Sequence, residues 1–598
     1  MNVRLPCFFV LILLPLVLPA ATPILSLKDV RPGLKGEALT VFSGTKIQPF
    51  QFEVMGIAKD FIGPGHDVIW CKMTSDPTGM MVIAHGMSGS PCYINGKLMG
   101  ALAYGWEFSK EPIFGVQPIE SMLEVLALKE NKPVASRSSQ PPTEMSTIKS
   151  LAGLKPAPIL SSKARAQMLQ PPLEISGLNP HIADRVMQAW SESGFFPQMA
   201  AGGGASKLAD AADLVPGAAA TGVIAEGDLS IAATGTLTWR DGDRILAFGH
   251  PFLDIGVVDG IGAVEIPLGK AEIVAILPNY KSSTKMANQG SVVGSLTQDR
   301  LTAVGGVIGK TPRMTPMSVT VRWPDATRSW KLRFCDNKFF TPMVYQTALI
   351  QFLAGVMERT EEVTLTLQST IEFEGLPPLR FEDEFTGERY AWLFDAVMLP
   401  AWQLVPMYQN DFETPRVKSI SVDIKVMPSV QRASIEEMTA QPLEAHPGDT
   451  IHVHAGFQPW HGKRFYKDYD VVLPEEAKSG EVELILADAN RADQLTGTLA
   501  GAGVLSSGSA PRDMRQLIAA LNKRHRHDSL HLVLQKKAAG LQVQDQRLTS
   551  LPESVQKLLL DDQSADHPTQ IQDAILSETT IDFGSVVEGS RSVKIKIK

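Results

Sequence analysis

The sequence predicts a mainly β protein made of several units, and three observations carry that reading. Short runs rich in β-branched and aromatic residues, among them Leu39–Phe42, Gln51–Val54 and Asp67–Trp70, recur between Gly, Pro and Ser clusters in the first half. Longer alternating runs follow in the second half: Val363, Leu365, Leu367, Ile371 and Phe373, then Ile420, Val422, Ile424 and Val426. With 48 Gly and 41 Pro among 598 residues, turn-forming residues exceed their usual share of about 12%. At roughly 150 residues per domain, the chain holds about three to five cores.

Taken in order, residues 1–21 read as a secretory leader: Arg4, the apolar run Leu5–Pro19, then Ala20-Ala21. The run is shorter than the roughly 20 residues that a membrane span needs. The expectation is an exported protein, periplasmic, cell-surface or secreted, with no membrane span once the leader is removed. Residues 22–130 form a β-rich unit closed by a helix near Ile119–Leu128. Residues 131–220 read as a linker region with short helices, most open at 131–150 and in the Gly/Ala stretch 200–220. A second β-rich unit covers 221–312, with a turn at Thr234-Gly235 and a hairpin at Arg240-Asp241-Gly242. In a β-rich accessory unit over 313–440, Thr341 as N-cap and Pro342 at the first position open a helix to about Met357. Residues 441–598 form a C-terminal β-sandwich-like or mixed α+β module. Its strands run at Ile451–Phe457 and Glu481–Ala487, and a helix at Arg512–Lys523 carries Met514, Leu517, Ile518 and Leu521 on one face.

Composition excludes several classes. At 44% hydrophobic and 20% charged the chain is too apolar for a disordered one. Lys+Arg 56 against Asp+Glu 64 gives −8, which argues against a nucleic-acid partner. Beyond the leader only Cys71, Cys92 and Cys335 remain, so at least one thiol is free. Cys71 and Cys92 flank the main motif and could pair, the plain alternative being two buried thiols.

That motif is Ala84-His85-Gly86-Met87-Ser88-Gly89-Ser90-Pro91, followed by Cys92-Tyr93-Ile94-Asn95-Gly96-Lys97. Serine becomes a strong nucleophile only when a base takes its proton and fixed donors hold the oxyanion. Gly86, two residues before Ser88, lets the backbone curl so that the N–H groups of Gly86 and Ser88 point to one spot. An α/β-hydrolase elbow would end in Gly and lead into a helix. Here Pro91, a short strand, an Asn95-Gly96 hairpin and a second strand follow. Ser88 is therefore expected on a loop between strands, the context of a trypsin-like double β-barrel.

The run GMSGSPCYINGKLMGA resembles the nucleophile segment of the SpoIVB peptidase family, serine peptidases with a trypsin-like barrel. Ala247-Phe248-Gly249-His250-Pro251-Phe252-Leu253-Asp254 resembles that family's Gly-His segment, and Thr74-Ser75-Asp76-Pro77-Thr78-Gly79 its Asp segment. The resemblance covers about residues 30–130 and 220–310. It implies Ser88 as nucleophile, His250 as base and Asp76 as the acid that orients it. Asp254 and Asp67 are alternative acids, His85 and His66 alternative bases, and Ser90 reads as a turn hydroxyl. The family's order is His, Asp, Ser; here Ser88 precedes His250, which implies barrel halves exchanged along the chain. Triad chemistry tolerates this because roles depend on geometry.

Most of the 12 His lie beyond residue 440. His452 and His454 share a strand face and His525-Arg526-His527 forms a charged loop, but no Cys or carboxylate stands at a recognised ligand spacing. No metal and no cofactor are expected. The expected function is an exported serine endopeptidase or self-processing peptidase, acting on a protein or peptide, with its own chain one candidate substrate. The competing expectation is a catalytically inactive barrel serving as a binding or scaffold module.

Overall fold

The computed structural model describes residues 22–128, 166–200, 213–252, 263–389, 391–410, 412–496, 511–543, 546–548, 551–561 and 569–598. The leader 1–21, the linker 131–150, most of 200–220 and the alternative acid Asp254 lie outside the described residues. The first barrel consists of β1 (Lys35–Val41), β2 (Ile47–Ala58), β3 (Val68–Ser75), the two-residue β4 (Ala84–His85), β5 (Pro91–Ile94), β6 (Lys97–Trp106) and β7 (Ile113–Pro118). Strand β5 pairs with both β1 and β6. The ring β1-β2-β3-β7-β6-β5 therefore closes, antiparallel throughout, with β4 outside it. On β2, Phe50, Phe52 and Val54 alternate inward. Asn95-Gly96 makes the expected two-residue turn, both residues at positive φ, between Ile94 and Lys97. Cys71 and Cys92 are free thiols inside this barrel, and burial pushes both up, away from the thiolate. After β7 comes α1 (Ile119–Ala127).

The region 131–220 is more than a linker. Strand β8 (Ala166–Met168) adds to β6 of barrel one, and β9 (Pro172–Ser176), α2 (Pro180–Glu192) and β10 (Phe196–Met199) follow. Asn179 caps α2 by accepting the His181 N–H, with Pro180 in the first turn.

Barrel two contains β11 (Ala219–Gly227), β12 (Ser230–Asp241), β13 (Arg244–Ala247), β14 (Ala263–Leu277), β15 (Ser283–Arg300) and β16 (Ala303–Ile308). Its ring, β11-β12-β13-β16-β15-β14, also closes antiparallel. Counted within each barrel, both rings run first, second, third, sixth, fifth, fourth. The sequence thus builds one barrel topology twice. The turn expected at Thr234-Gly235 is instead interior to β12. Gly235 is small because the Phe248 ring fills its side-chain space, a Cβ there meeting ring atoms at 2.2 and 2.3 Å.

The barrels meet along several seams, one of them a strand pairing and two of them apolar clusters. Short β4 pairs in parallel with β15, Ala84 opposite Ser283 and His85 opposite Thr284. One small apolar cluster joins Val41 to Ala219, Ala271, Ile273 and Ala287. The other wedges Ile119, Met122 and Val125, the i, i+3 face of α1, against Ala101, Leu246 and Ala303.

Beyond the barrels, β17 (Thr315–Arg322), β18 (Thr327–Phe334), α3 (Phe340–Met357), β19 (Glu362–Phe373), β20 (Leu379–Glu388), α4 (Leu393–Trp402), α5 (Leu404–Tyr408) and β21 (Val417–Met427) build the accessory unit. Its sheet order is β18-β17-β21-β19-β20, and β18 also pairs with β11, so the sheet is continuous with barrel two. Helix α3 begins before the expected cap: Thr341 donates its hydroxyl to Asp336 rather than capping from outside. Among the described residues no helix is long and apolar enough to cross a membrane. The C-terminal unit packs a four-stranded sheet on a six-stranded one over Ile451, Val453, Phe457, Leu484, Leu532 and Ile595. Its first strand is Arg432–Gln441, so the sandwich starts earlier than residue 441. Helix Met514–Leu521 leaves that sandwich and buries its apolar face in the accessory core.

Two ionic knots, the first buried and the second partly so, pin this end. Asp383, fully buried on β20, accepts from the N–H and Nδ1 of His527 and from Arg524, tying accessory sheet to sandwich. Within the sandwich, His525 Nδ1 meets Asp493 at 2.5 Å and its Nε2 meets Glu578 at 2.6 Å. Burial opposes the imidazolium, but the two carboxylates outweigh it and raise His525 to about 9. Hydrogen bonds from His525 and His531 bring Glu578 down to about 2. The histidine's contribution is complete below about pH 6.5 and is lost as pH rises through about 9. The glutamate's is complete above about pH 4.5 and is lost as pH falls through about 2. His525→Ala is therefore expected to destabilise the sandwich by about 2–3 kcal/mol between pH 4.5 and 6.5. Urea midpoints for wild type and variant should converge above pH 9; a gap independent of pH would refute the assignment.

Candidate active site

Ser88 lies between β4 and β5, and His250 directly after β13, the third strand of barrel two. The double barrel brings the two loops together at the junction. Thr236 of β12 donates its N–H to Ser88 O (2.8 Å) and its hydroxyl to Gly86 O (3.1 Å), and Thr238 donates its hydroxyl to Gly89 O (2.7 Å). On the other side Gly89 N–H donates to Leu102 O (2.7 Å) and Leu102 N–H to Ser90 O (3.0 Å). The turn around Ser88 is thus held from both barrels.

Gly86 takes φ +90°, the conformation that curls the chain as the motif requires. Among the described residues, neither the Gly86 N–H nor the Ser88 N–H donates to a protein acceptor. The Ser88 hydroxyl is buried and also without a partner. Three polar groups within three buried residues are thus free of protein partners, where most buried polar groups have one. Ser90 Oγ donates to Met87 O (2.6 Å) and serves the turn.

His250 does not reach Ser88 here. Its Nδ1 lies 2.7 Å from Pro251 O and its Nε2 2.9 Å from Leu169 O. Burial, the largest influence, takes the imidazole down to about 4, against the two carbonyls that favour protonation; nearby His85 also disfavours the charge. A neutral ring carries one N–H, so only one of those carbonyls receives a proton while the other faces a lone pair. Packing, not hydrogen bonding alone, holds the ring in place. His85 stacks on Phe196 with centroids 4.5 Å apart, and its Nδ1 lies 2.7 Å from Gln170 O.

Asp76 is not brought to His250. It sits in an exposed turn, where its carboxylate accepts from Thr78 N–H, Thr78 Oγ1, Gly79 N–H and Met81 N–H at 2.6–2.8 Å. Partial burial disfavours its charge, but those four bonds prevail and lower its pKa. The Asp-Pro-Thr-Gly run therefore makes a turn cap. Asp67 likewise accepts the Asp60 N–H in a remote loop, which also holds His66.

Two functional candidates escaped the sequence. Asp299 at the end of β15 is fully buried, and its Oδ1 accepts the Phe252 N–H (2.7 Å), bracing the His250 loop. Nothing in the ordinary run Gln298-Asp299-Arg300 announces it. Lys285 on β15 is wholly buried; its stem packs on Gly86 and its Nζ donates to Thr40 Oγ1 (2.7 Å). Burial alone takes this amine down to about 7. No protein-family model, curated protein or solved structure matches this chain.

Proposed function

We propose that the chain is an exported serine endopeptidase of the SpoIVB type. The observation that carries the reading is the Gly86-Met87-Ser88 turn, where a buried hydroxyl without a partner adjoins two N–H groups that donate to nothing. A carbonyl oxygen placed between those N–H groups would sit where negative charge grows during acyl transfer. Ser88 Oγ would attack the carbonyl carbon while its proton passes to His250, which stays unprotonated through the neutral range. The C–N bond then breaks, the amine leaves with that proton, and water hydrolyses the ester. Asp299 acts as a positioning residue through the Phe252 backbone.

A fluorophosphonate probe tests this directly. Wild-type protein is expected to label covalently, and Ser88→Ala to lose all labelling while keeping its circular dichroism and urea midpoint. Folded wild type that takes no label at Ser88, even with the cleft emptied as described below, would favour the inactive binding barrel. Both His250 nitrogens resting on main-chain carbonyls is the observation on that side.

A further inference from the structure

The strand that joins the barrels lies across the candidate site. Residues Ala166–Met168 pair antiparallel with the end of β6: Met168 opposite Tyr104, Gln167 opposite Gly105 and Ala166 opposite Trp106. Leu169 continues the strand, donating its N–H to Ala103 O (2.9 Å). Leu169 and Ala103 are thus a hydrogen-bonded pair, and the alternation makes Gln167 and Gly105 the next one. The Leu169 side chain is buried in the cluster containing Ala84, Met87 and Leu102, directly over Gly105, where an added Cβ would come within 2.9 Å of its Cδ2. Its carbonyl faces His250 and the next one, of Gln170, faces His85. An extended segment, hydrogen-bonded along a strand edge with one side chain in a pocket and its carbonyl on the candidate base, is how a peptide binds by strand addition.

We propose that residues 166–170 occupy the cleft as a substrate would, and this inference rests on the peptidase reading. Ala103–Trp106 is the peptide-binding edge. The pocket over Gly105 selects a leucine-sized apolar side chain on the acyl side of the bond to be cut. As it stands, the Leu169 carbonyl rests on His250 Nε2 and not between the Gly86 and Ser88 N–H groups, so Ser88 reaches the Leu169–Gln170 bond only once that carbonyl moves, and until then the segment keeps His250 from Ser88 and excludes other peptides. Beyond the strand a cleft of about 150 Å³ remains, edged by Ile83, His85, Trp106, Phe108 and Tyr280. It gives a displacing peptide room to enter.

The test uses the full chain without its leader, as wild type, Leu169→Asp, Gln167→Pro and Leu169→Met, each made both with Ser88 intact and with Ser88→Ala as its matched control. Gln167 is exposed, so Gln167→Pro removes one ladder bond without disturbing the core and covers the case in which Leu169→Asp does not fold. Fluorophosphonate labelling is expected to rise about tenfold or more in Leu169→Asp and Gln167→Pro, because the competing occupied state is weakened. Leu169→Met should label as wild type does. Fragments meeting between Leu169 and Gln170, seen by intact mass in wild type and absent with Ser88→Ala, would equally establish the occupancy. Labelling at Ser88 that is the same in all variants, with no cut at this bond, would overturn the inference and leave the peptidase reading intact. No Ser88-dependent labelling or cut in any folded variant would overturn both.

Discussion

Gly89→Ala is expected to cost about 4 kcal/mol or more and to pull the two barrels apart at the serine turn. Gly89 has φ +91°, and a Cβ there would stand 1.9 Å from Thr236 O and 2.6 Å from Phe248 N. Both are backbone atoms of barrel two, so no side chain can turn aside to make room. Relief requires β12 and the β13 loop to retreat, which breaks the Thr236–Ser88 and Thr238–Gly89 hydrogen bonds as well. Gly96→Ala is the fitting control. Gly96 also has positive φ (+75°), yet open space surrounds it, so only the backbone penalty of about 1 kcal/mol applies. Urea midpoints should separate the two variants widely. Equal, small losses would show that the barrels do not depend on this contact.

Lys285→Met is expected to act in the opposite direction and stabilise the protein. The wild-type ammonium is buried with Thr40 Oγ1 as its hydrogen-bond acceptor, and burial alone takes its pKa from 10.5 to about 7. The folded state then carries a penalty that is full below about pH 7, declines as pH rises and is gone above 10.5. Its ceiling is about 5 kcal/mol. Methionine keeps the apolar stem over Gly86 and removes the charge, at about 1 kcal/mol for the Thr40 hydroxyl left without its donor. A net gain of about 3–4 kcal/mol at pH 6 is expected, vanishing near pH 10 and giving way to a loss of up to about 1 kcal/mol above it. A gain that does not vary with pH would mean that the amine is not what the fold is straining against.

Local features of this fold were legible and distant ones were not. The Asn95-Gly96 hairpin, the strand at Gln51–Val54, the alternation of β19 and the helix at Ile119 each depend on neighbours a few residues away, and each stands where the pattern put it. Barrel closure depends on β5 meeting β1 and on β14 meeting β11, pairings that no periodicity encodes. The same divide runs through the site. Ser88 and Gly86 could be read from one octapeptide, because a turn's conformation is written in the turn. Asp76 misled because an Asp that caps its own turn and an Asp that orients a distant imidazole look alike in a short motif. Asp299, Lys285 and Leu169 come to the site from strands far along the chain, in runs with no motif of their own. Gly235 shows the limit from the other side: a glycine read as a turn proved to be a seat for the Phe248 ring.

The chain passes from barrel one to barrel two through residues 129–218, and β8 belongs to the first barrel while β9 pairs with β12 of the second. A break between Leu169 and Gln170 would therefore leave each ring whole and hand each fragment its own half of the site. Residues 22–169 would carry the serine and 170–598 the histidine, rejoined by the β4–β15 seam and the α1 wedge. The molecule is laid out as a complementation pair, so two separately produced halves should reassemble on mixing.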